Sequence, residues 1–357
     1  MTPTVVRRLS VETLDIAMRE PFGISGGAQE HAANLLVTVE LADGTVGLGE
    51  AAPFPAFNGE TQASTRAALE LSRSDVEGAD VRHYRRVAMA LRDKIPHAGA
   101  ARCALETAML DALTRRAGMP LWAFFGGMET SLRTDITIPT GTAEHAENAA
   151  RRHAAAGFTT LKLKVGGNDL DTDLERIASI AAAAPGCELI LDGNGGLSVQ
   201  ATLALLAGAR RSGARVTLLE QPVHRDDLEG MRELVTRAGV DVAADESLTN
   251  AADAVRLAQL GAATVLNLKP MKHGLVEALD IAAVGRAAGL GLMIGGLVES
   301  VLAMSASACL AAGFGGFRFV DLDTPLFLAE NPFEGGFAQE GPRLDLTRIE
   351  TGHGVRR

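Results

Sequence analysis

After Leu132, short apolar runs that end in a charged or small residue recur eight times, with ends near Ile138, Lys164, Asp192, Glu220, Asp245, Lys269, Gly295 and Asp321. Consecutive ends lie 24 to 28 residues apart. That is the length of one strand–helix unit, and eight such units close into a parallel barrel. Runs such as L-I-L-D, V-T-L-L-E and T-V-L-N-L-K are apolar without alternation, as expected of a parallel sheet buried on both faces. The stretches between them, for example Asp171 to Ala184 and Asn250 to Leu260, have the spacing of amphipathic helices.

A chain of 357 residues has room for such a barrel plus a smaller domain. The smaller one precedes it. Thr4 to Leu14, Ala33 to Leu41 and Val46 to Leu48 read as an antiparallel sheet, with A-D-G-T at Ala42 to Thr45 as a turn. Glu60 to Leu71, Val81 to Lys94 and Ala98 to Ala117 read as helices. Pro21 to His31 is glycine-rich and reads as a mobile loop. The expected division is an α+β domain over 1–125, a barrel over 126–323, and a segment over 324–357 that packs back on the first domain.

Lys plus Arg number 34 against 44 acidic residues, a net charge of -10. This argues against nucleic acid or an anionic membrane as a general partner, though not against a small anionic substrate. Cys103, Cys187 and Cys309 form no C-x-x-C pair and are odd in number, which suits a reducing cytoplasm. The N-terminal M-T-P-T-V-V-R-R lacks the apolar run of a signal peptide. Ala287 to Phe317, the most apolar region, is interrupted by Glu299, Gly and Ser and reads as a core strand and helix, with no membrane span expected.

In barrels of this kind the reactive groups sit at the carboxyl ends of the strands. Those ends carry Lys162 and Lys164 in L-K-L-K-V-G-G, Asp192 and Asn194 in L-D-G-N-G-G, and Glu220 in L-L-E-Q-P. Next come Asp245 and Glu246 in A-A-D-E-S, Lys269 in N-L-K-P, and Asp321 and Asp323 in D-L-D-T-P-L. A lone K-x-K suits a solvated strand edge, and a lone carboxylate suits a helix cap. Asp192, Glu220 and Asp245 on consecutive strands would instead converge, and converging like charges need a cation. Oxygen donors without His or Cys suit Mg²⁺. Lys164 and Lys269 fall on opposite sides of an eight-stranded ring, where they can address opposite faces of one substrate. Nearby positive charge would bias such a lysine toward the neutral form that a base requires. Asp321 and Asp323 share one strand face and suit an ammonium group.

K-x-K, D-x-N, L-E-Q-P, A-D-E-S and N-x-K in this order, with G-E-A-A-P at Gly49 to Pro53, resemble the enolase superfamily, muconate-cycloisomerase (mandelate racemase/muconate lactonizing enzyme) subgroup. The resemblance implies an N-terminal capping domain on a modified TIM (β/α)7β barrel that lacks its last regular helix. It implies Mg²⁺ on Asp192, Glu220 and Asp245, with Lys164 and Lys269 as the acid/base pair. Lys162 would contact the substrate carboxylate, and Asn194 and Glu246 would support the ligands from behind. With D-x-D the chain looks most like the dipeptide epimerases, in which that pair holds the free amino terminus and 1,1-proton transfer passes through an enediolate. Thr137, Gly296 and Val298 fall at the family's substrate contacts. Phe22, Ile24 and Gly27 fall in its specificity loop, about 21–31, where Ala-Glu-specific members carry an arginine. Phe22 to Ala28 contains no cation, so Ala-Glu specificity is not expected.

The same scaffold carries N-acylamino-acid racemases with o-succinylbenzoate synthase activity, muconate-type cycloisomerases and acid-sugar dehydratases, whose substrates lack the ammonium group. A non-catalytic barrel is the remote alternative. Relatives of this kind often associate, so a homo-oligomer is the expectation, with a small-molecule dipeptide as the substrate.

Overall fold

The computed structural model describes residues 2–24, 27–167 and 169–357, and the side chains of all of these except 20–24 and 27–30. An antiparallel sheet opens the chain: β1 (Val6–Ile24), β2 (Gly27–Leu41) and β3 (Val46–Ala51), in that order. Pairing of β1 with β2 continues to Ile24 opposite Gly27. The stretch expected as a loop over Pro21 to His31 is therefore largely an extended hairpin arm. Its glycines break helical spacing without preventing strand pairing, and a register shift between Ala17 and Phe22 absorbs the irregularity.

Three helices cover one face of this sheet: α1 (Gln62–Leu71), α2 (Tyr84–Lys94) and α3 (Gly99–Arg116). β3 reads V-G-L-G-E for a steric reason. A Cβ at Gly47 would lie 2.1 Å from the Ala108 carbonyl oxygen, and one at Gly49 2.0 Å from that of Ala104. Glycine on alternate residues thus lets α3 lie directly on the strand.

The barrel strands are β4 (Ile136–Ile138), β5 (Thr160–Lys164), β6 (Glu188–Asp192), β7 (Arg215–Glu220), β8 (Asp241–Ala244), β9 (Val265–Leu268), β10 (Gly291–Gly295) and β11 (Phe317–Asp321). They pair in chain order, and Asp135 N–H donating to Val320 O at 2.8 Å draws the last strand to the first. Six of the eight expected ends coincide with observed ends, and the other two lie one residue beyond β8 and β9. The connecting helices α4 (Ala143–Ala155), α5 (Leu170–Ala183), α6 (Val199–Arg211), α7 (Leu228–Arg237) and α8 (Ala251–Leu260) begin on residues that cap them: side chains of Thr142, Asp169, Ser198, Asp227 and Asn250 each accept a backbone N–H three residues on. Pro270–His273 forms one helical turn before α9 (Leu275–Ala287), and α10 (Val301–Phe314) follows β10. Beyond β11 a 3₁₀ turn at Thr324–Phe327 stands where a further helix would be, and short strands at Glu334–Gly335, Ala338–Glu340, Arg343–Asp345 and Val355–Arg356 follow.

Side chains inside the barrel form layers. Ile190, Leu218, Ala243, Val265 and Met293 make a small apolar cluster with Phe319. Each lies two residues before Asp192, Glu220, Asp245, Asn267, Gly295 or Asp321 in turn, so strand alternation seats the polar strand-end groups on an apolar floor. Leu161 and Leu163, which flank Lys162, join the main core outside the barrel wall.

The two parts are locked by Glu50 of G-E-A-A-P. Its buried carboxylate accepts from Ser300 N–H (3.0 Å), Ser300 Oγ (2.6 Å), Ala303 N–H (3.1 Å) and Asn34 Nδ2 (2.7 Å). It therefore caps α10 from the neighbouring domain. The C-terminal segment also reaches the first sheet, through Ala329 N–H to Ala17 O at 2.8 Å and His353 Nε2 at 3.0 Å from Leu48 O. Glu50→Ala strips four donors of their acceptor and should lower the unfolding free energy by about 3 kcal/mol. Urea titration reads this as a lower midpoint, with Glu50→Gln between Ala and wild type; an unchanged midpoint would remove Glu50 from this role.

Candidate active site

Alternation along β5 turns Lys162 and Lys164 together toward the barrel axis, and neither is solvated: their side chains are 2% and 6% exposed. Lys162 Nζ lies 2.7 Å from Asp321 Oδ2, 2.8 Å from Glu220 Oε2 and 3.1 Å from Asp192 Oδ2. Lys164 Nζ donates to Asp192 Oδ2 at 2.6 Å and to Asn194 Oδ1 at 3.1 Å. Across the ring, Lys269 Nζ donates to Asp245 Oδ2 at 2.8 Å, and its distance to Glu220 Oε1 is 3.9 Å. Carboxylates and ammoniums are thus interleaved around the mouth, each buried charge facing an opposite one.

This arrangement sets the proton affinities. Burial alone would raise Asp192, but the Lys164 and Lys162 ammoniums outweigh it and bring it down to about 2. Asp245 is likewise held below the usual carboxylate range by Lys269 and Lys272 against its burial. Glu220 is raised to about 8 by burial and then by Asp192, with Lys162 opposing. Burial pulls Lys162 and Lys269 down, yet the surrounding carboxylates leave both above the ordinary lysine value. In the protein alone, carboxylates dominate the surroundings of Lys162 and Lys269; the bias toward neutrality expected from nearby positive charge would need Mg²⁺ beside the neighbouring lysines to offset them.

The polar residues that follow the strand-end carboxylates have local roles. Gln221 adopts φ of 32° and Asn194 φ of 42°, conformations stabilised here by side-chain bonds. Gln221 Oε1 accepts Asp245 N–H and Ser247 N–H, both at 3.0 Å, which ties the end of β7 to the end of β8. Asn194 Nδ2 donates to Glu246 Oε1 at 3.1 Å. Glu246 is raised to about 7 by burial and then by Asp245.

A cavity lies over this layer, lined by Thr137, Lys162, Lys164, Asn194, Lys269, Gly296, Asp321 and Asp323 with Phe54, Phe57, Leu297 and Thr324. Asp192, Glu220 and Asp245 lie beneath it. At Gly296 a Cβ would meet Met304 Cε at 2.2 Å, so a larger residue there would require the Met304 side chain to move. Val298 is not brought to the cavity; it packs into the first domain's core, and its carbonyl accepts Asn34 Nδ2 at 2.9 Å. The side chains of Phe22, Ile24 and Gly27 lie outside the described residues.

Four groups escaped the sequence reading. Asn267 Nδ2 donates to Glu220 Oε1 at 2.9 Å; alternation back from Lys269 would have found it. Lys272 Nζ, one helical turn after Lys269, donates to Asp245 O at 2.7 Å and Oδ1 at 2.5 Å. The Phe57 ring, from the first domain, lies 5.2 Å from Lys269 Nζ and 5.9 Å from Lys272 Nζ, a pairing across domains that no local pattern carries. Asp135 is the fourth: Asp135, Asp321 and Asp323 bring ligand oxygens within 4.8 Å of one another.

Comparison with known proteins agrees with this geometry. The family model described as mandelate racemase / muconate lactonizing enzyme, N-terminal domain, matches residues 8–126, and that described as enolase C-terminal domain-like matches residues 144–356. An aromatic dipeptide epimerase from Herpetosiphon aurantiacus is 52% identical over 99% of both chains. A solved structure from Sorangium cellulosum is 68% identical, with a TM-score of 0.96 over 99% of both chains. The dipeptide epimerase of Enterococcus faecalis, solved with Mg and L-Leu-L-Tyr, is 30% identical with a TM-score of 0.95 over 99% of this chain and 100% of that one. Matched through both of its parts, the chain belongs to the mandelate racemase/muconate lactonizing enzyme subgroup of the enolase superfamily, close to the dipeptide epimerases.

Proposed function

We propose that this chain is a Mg²⁺-dependent dipeptide epimerase that inverts the α-carbon of the C-terminal residue, preferring a hydrophobic or aromatic side chain there. The observation that carries the reading is the pair Lys164 and Lys269, on strands β5 and β9 four apart in the ring, facing one cavity that also contains Asp321 and Asp323. Lys162 holds the substrate carboxylate, while Asp321 and Asp323 hold the ammonium at the other end. One of Lys164 and Lys269 removes the α-proton, and the other returns a proton to the opposite face. Such general acid–base transfer contributes roughly 10²- to 10⁴-fold.

Asp192, Glu220 and Asp245 fit Mg²⁺: they are buried hard-oxygen donors at the ends of adjacent strands, with only lysine ammoniums and amide groups to offset their charge. Bound there, Mg²⁺ would supply positive charge that offsets these carboxylates and the negative charge building on the substrate carboxylate. Asn194 and Glu246 support this set, and Thr137 and Gly296 complete the walls. Phe54, Phe57 and Leu297 favour an apolar side chain, in keeping with the aromatic dipeptide epimerase relative and the lack of a cation over Phe22 to Ala28. The division at residues 125 and 323 belongs to the same reading. So does a cytoplasmic setting, which the free buried Cys103, Cys187 and Cys309 support; among the described residues no helix is long and apolar enough to cross a membrane.

N-acyl, muconate-type and acid-sugar substrates give Asp321 and Asp323 no cation to bind, which is why those readings rank lower. Incubated with Mg²⁺ and L-Ala-L-Phe in D₂O, the enzyme should place deuterium at the phenylalanine α-carbon, and EDTA should stop it. Asp321→Asn with Asp323→Asn should lower kcat/KM by about a hundredfold. Absence of exchange with every hydrophobic and aromatic dipeptide would sink the assignment.

Asp323 is raised to about 7 by burial and then by Asp321. It is neutral below that pH and anionic above it, whereas the substrate ammonium loses its proton near roughly pH 8. KM for the dipeptide should therefore rise as pH falls below about 7, and Asp323→Asn should flatten that limb. A KM that stays constant between roughly pH 5 and pH 7 would contradict this.

A further inference from the structure

One buried carboxyl beside the cavity has no part in the proton transfer described above. Asp135 immediately precedes β4 and lies two residues before Thr137, so both side chains turn toward the barrel axis, Asp135 one level deeper. It is 3% exposed, and neither of its side-chain oxygens has a hydrogen-bond partner. One of its oxygens lies within 4.8 Å of an oxygen of Asp321 and of an oxygen of Asp323. The charged groups that face it are Asp321 and Asp323 at the end of β11, Lys162 on β5 and Glu220 on β7.

The positive charge in this group is already shared. Lys162 Nζ is engaged by Asp321, Glu220 and Asp192 at 2.7, 2.8 and 3.1 Å. Asp323 Oδ2 accepts Thr137 N–H at 2.6 Å, whereas Asp323 Oδ1 is without a donor. Three buried carboxylates this close cannot all ionise around a shared ammonium, so one retains a proton. Thr137 N–H favours the ionised form of Asp323. No donor does the same for Asp135, which burial, then Asp321 and Asp323, push well above the usual carboxylate range.

We propose that Asp135 is the positioning residue of the amine subsite: a neutral carboxyl that turns its O–H toward the Asp321–Asp323 pair and holds it in place for the substrate ammonium. A buried acid used this way converts a repulsive third carboxylate into a hydrogen-bond donor without contacting the substrate. It also restricts the negative charge at the cavity wall to the two residues that face the ligand.

The inference rests on Asp321 and Asp323 being the amine subsite, and its test separates the two ideas. In Mg²⁺-loaded full-length protein at neutral pH, the infrared difference spectrum of wild type minus Asp135→Asn should contain a carboxylic-acid C=O band. That measurement needs no substrate. With L-Ala-L-Phe, Asp135→Asn, whose amide N–H replaces the O–H, should keep KM within about twofold, whereas Asp135→Ala should raise KM about tenfold with kcat little changed. A difference spectrum with only carboxylate bands, or an Asn variant as impaired in KM as the Ala variant, would overturn the proposal. If Asp135→Ala does not fold, the Asn variant and the spectrum still decide it.

Discussion

A buried charge is tolerable only with an opposite charge beside it, and the centre of this barrel is built on that constraint. Lys162, Lys164 and Lys269 each lie within 3 Å of a carboxylate oxygen on another strand. The nearest pairs join β5 to β11, β5 to β6, and Lys269 to Asp245 just beyond β8. Removing any one member would strand its partner on an apolar floor. The same constraint explains the distribution of functional groups: they occupy one layer, at one end of the strands, where alternating signs compensate around the ring.

Everything else in the fold serves to hold that layer and close it. The apolar side chains two residues earlier on each strand fill the barrel beneath it. Gln221 joins successive strand ends, and Lys272 fixes Asp245 from the outer side while Lys269 meets it from the inner. The first domain supplies the lid. Gly47 and Gly49 let α3 pack close to the sheet, Glu50 anchors that sheet to α10, and Phe57 then lies over Lys269. The proton transfer proposed between two lysines would need a closed and positioned site, because water would compete for the same ammonium groups.

The barrel was legible in the sequence because its signal repeats. Apolar runs of nearly constant spacing marked the strand ends, and period-two alternation placed Lys162, Lys164, Asp192, Glu220 and Asp321 on the inward face. What escaped depends on contacts between distant parts of the chain. The arm around Ile24 and Gly27 pairs as a hairpin although its composition reads as loop. Val298 is turned away from the cavity by the packing of the first domain. The protonation of Lys162 and Lys269 follows from how many carboxylates reach each ammonium, which spacing alone does not reveal. Asp135 had no motif to mark it, since its role arises only when β11 closes against β4.

On the proposed reading the two lysines of L-K-L-K-V-G-G divide their labour: Lys164 would exchange a proton with one face of the substrate, and Lys162, bridged to Asp321, Glu220 and Asp192, would hold its carboxylate. The most direct measurement of the central claim is α-proton exchange in D₂O followed separately for the L,L and L,D dipeptide by NMR. Lys164→Ala and Lys269→Ala should each abolish exchange of one epimer while sparing that of the other, in opposite senses, and Lys162→Ala should weaken both alike. Equal loss of exchange for both epimers in Lys164→Ala and Lys269→Ala, with folding intact, would contradict a two-base mechanism across the ring.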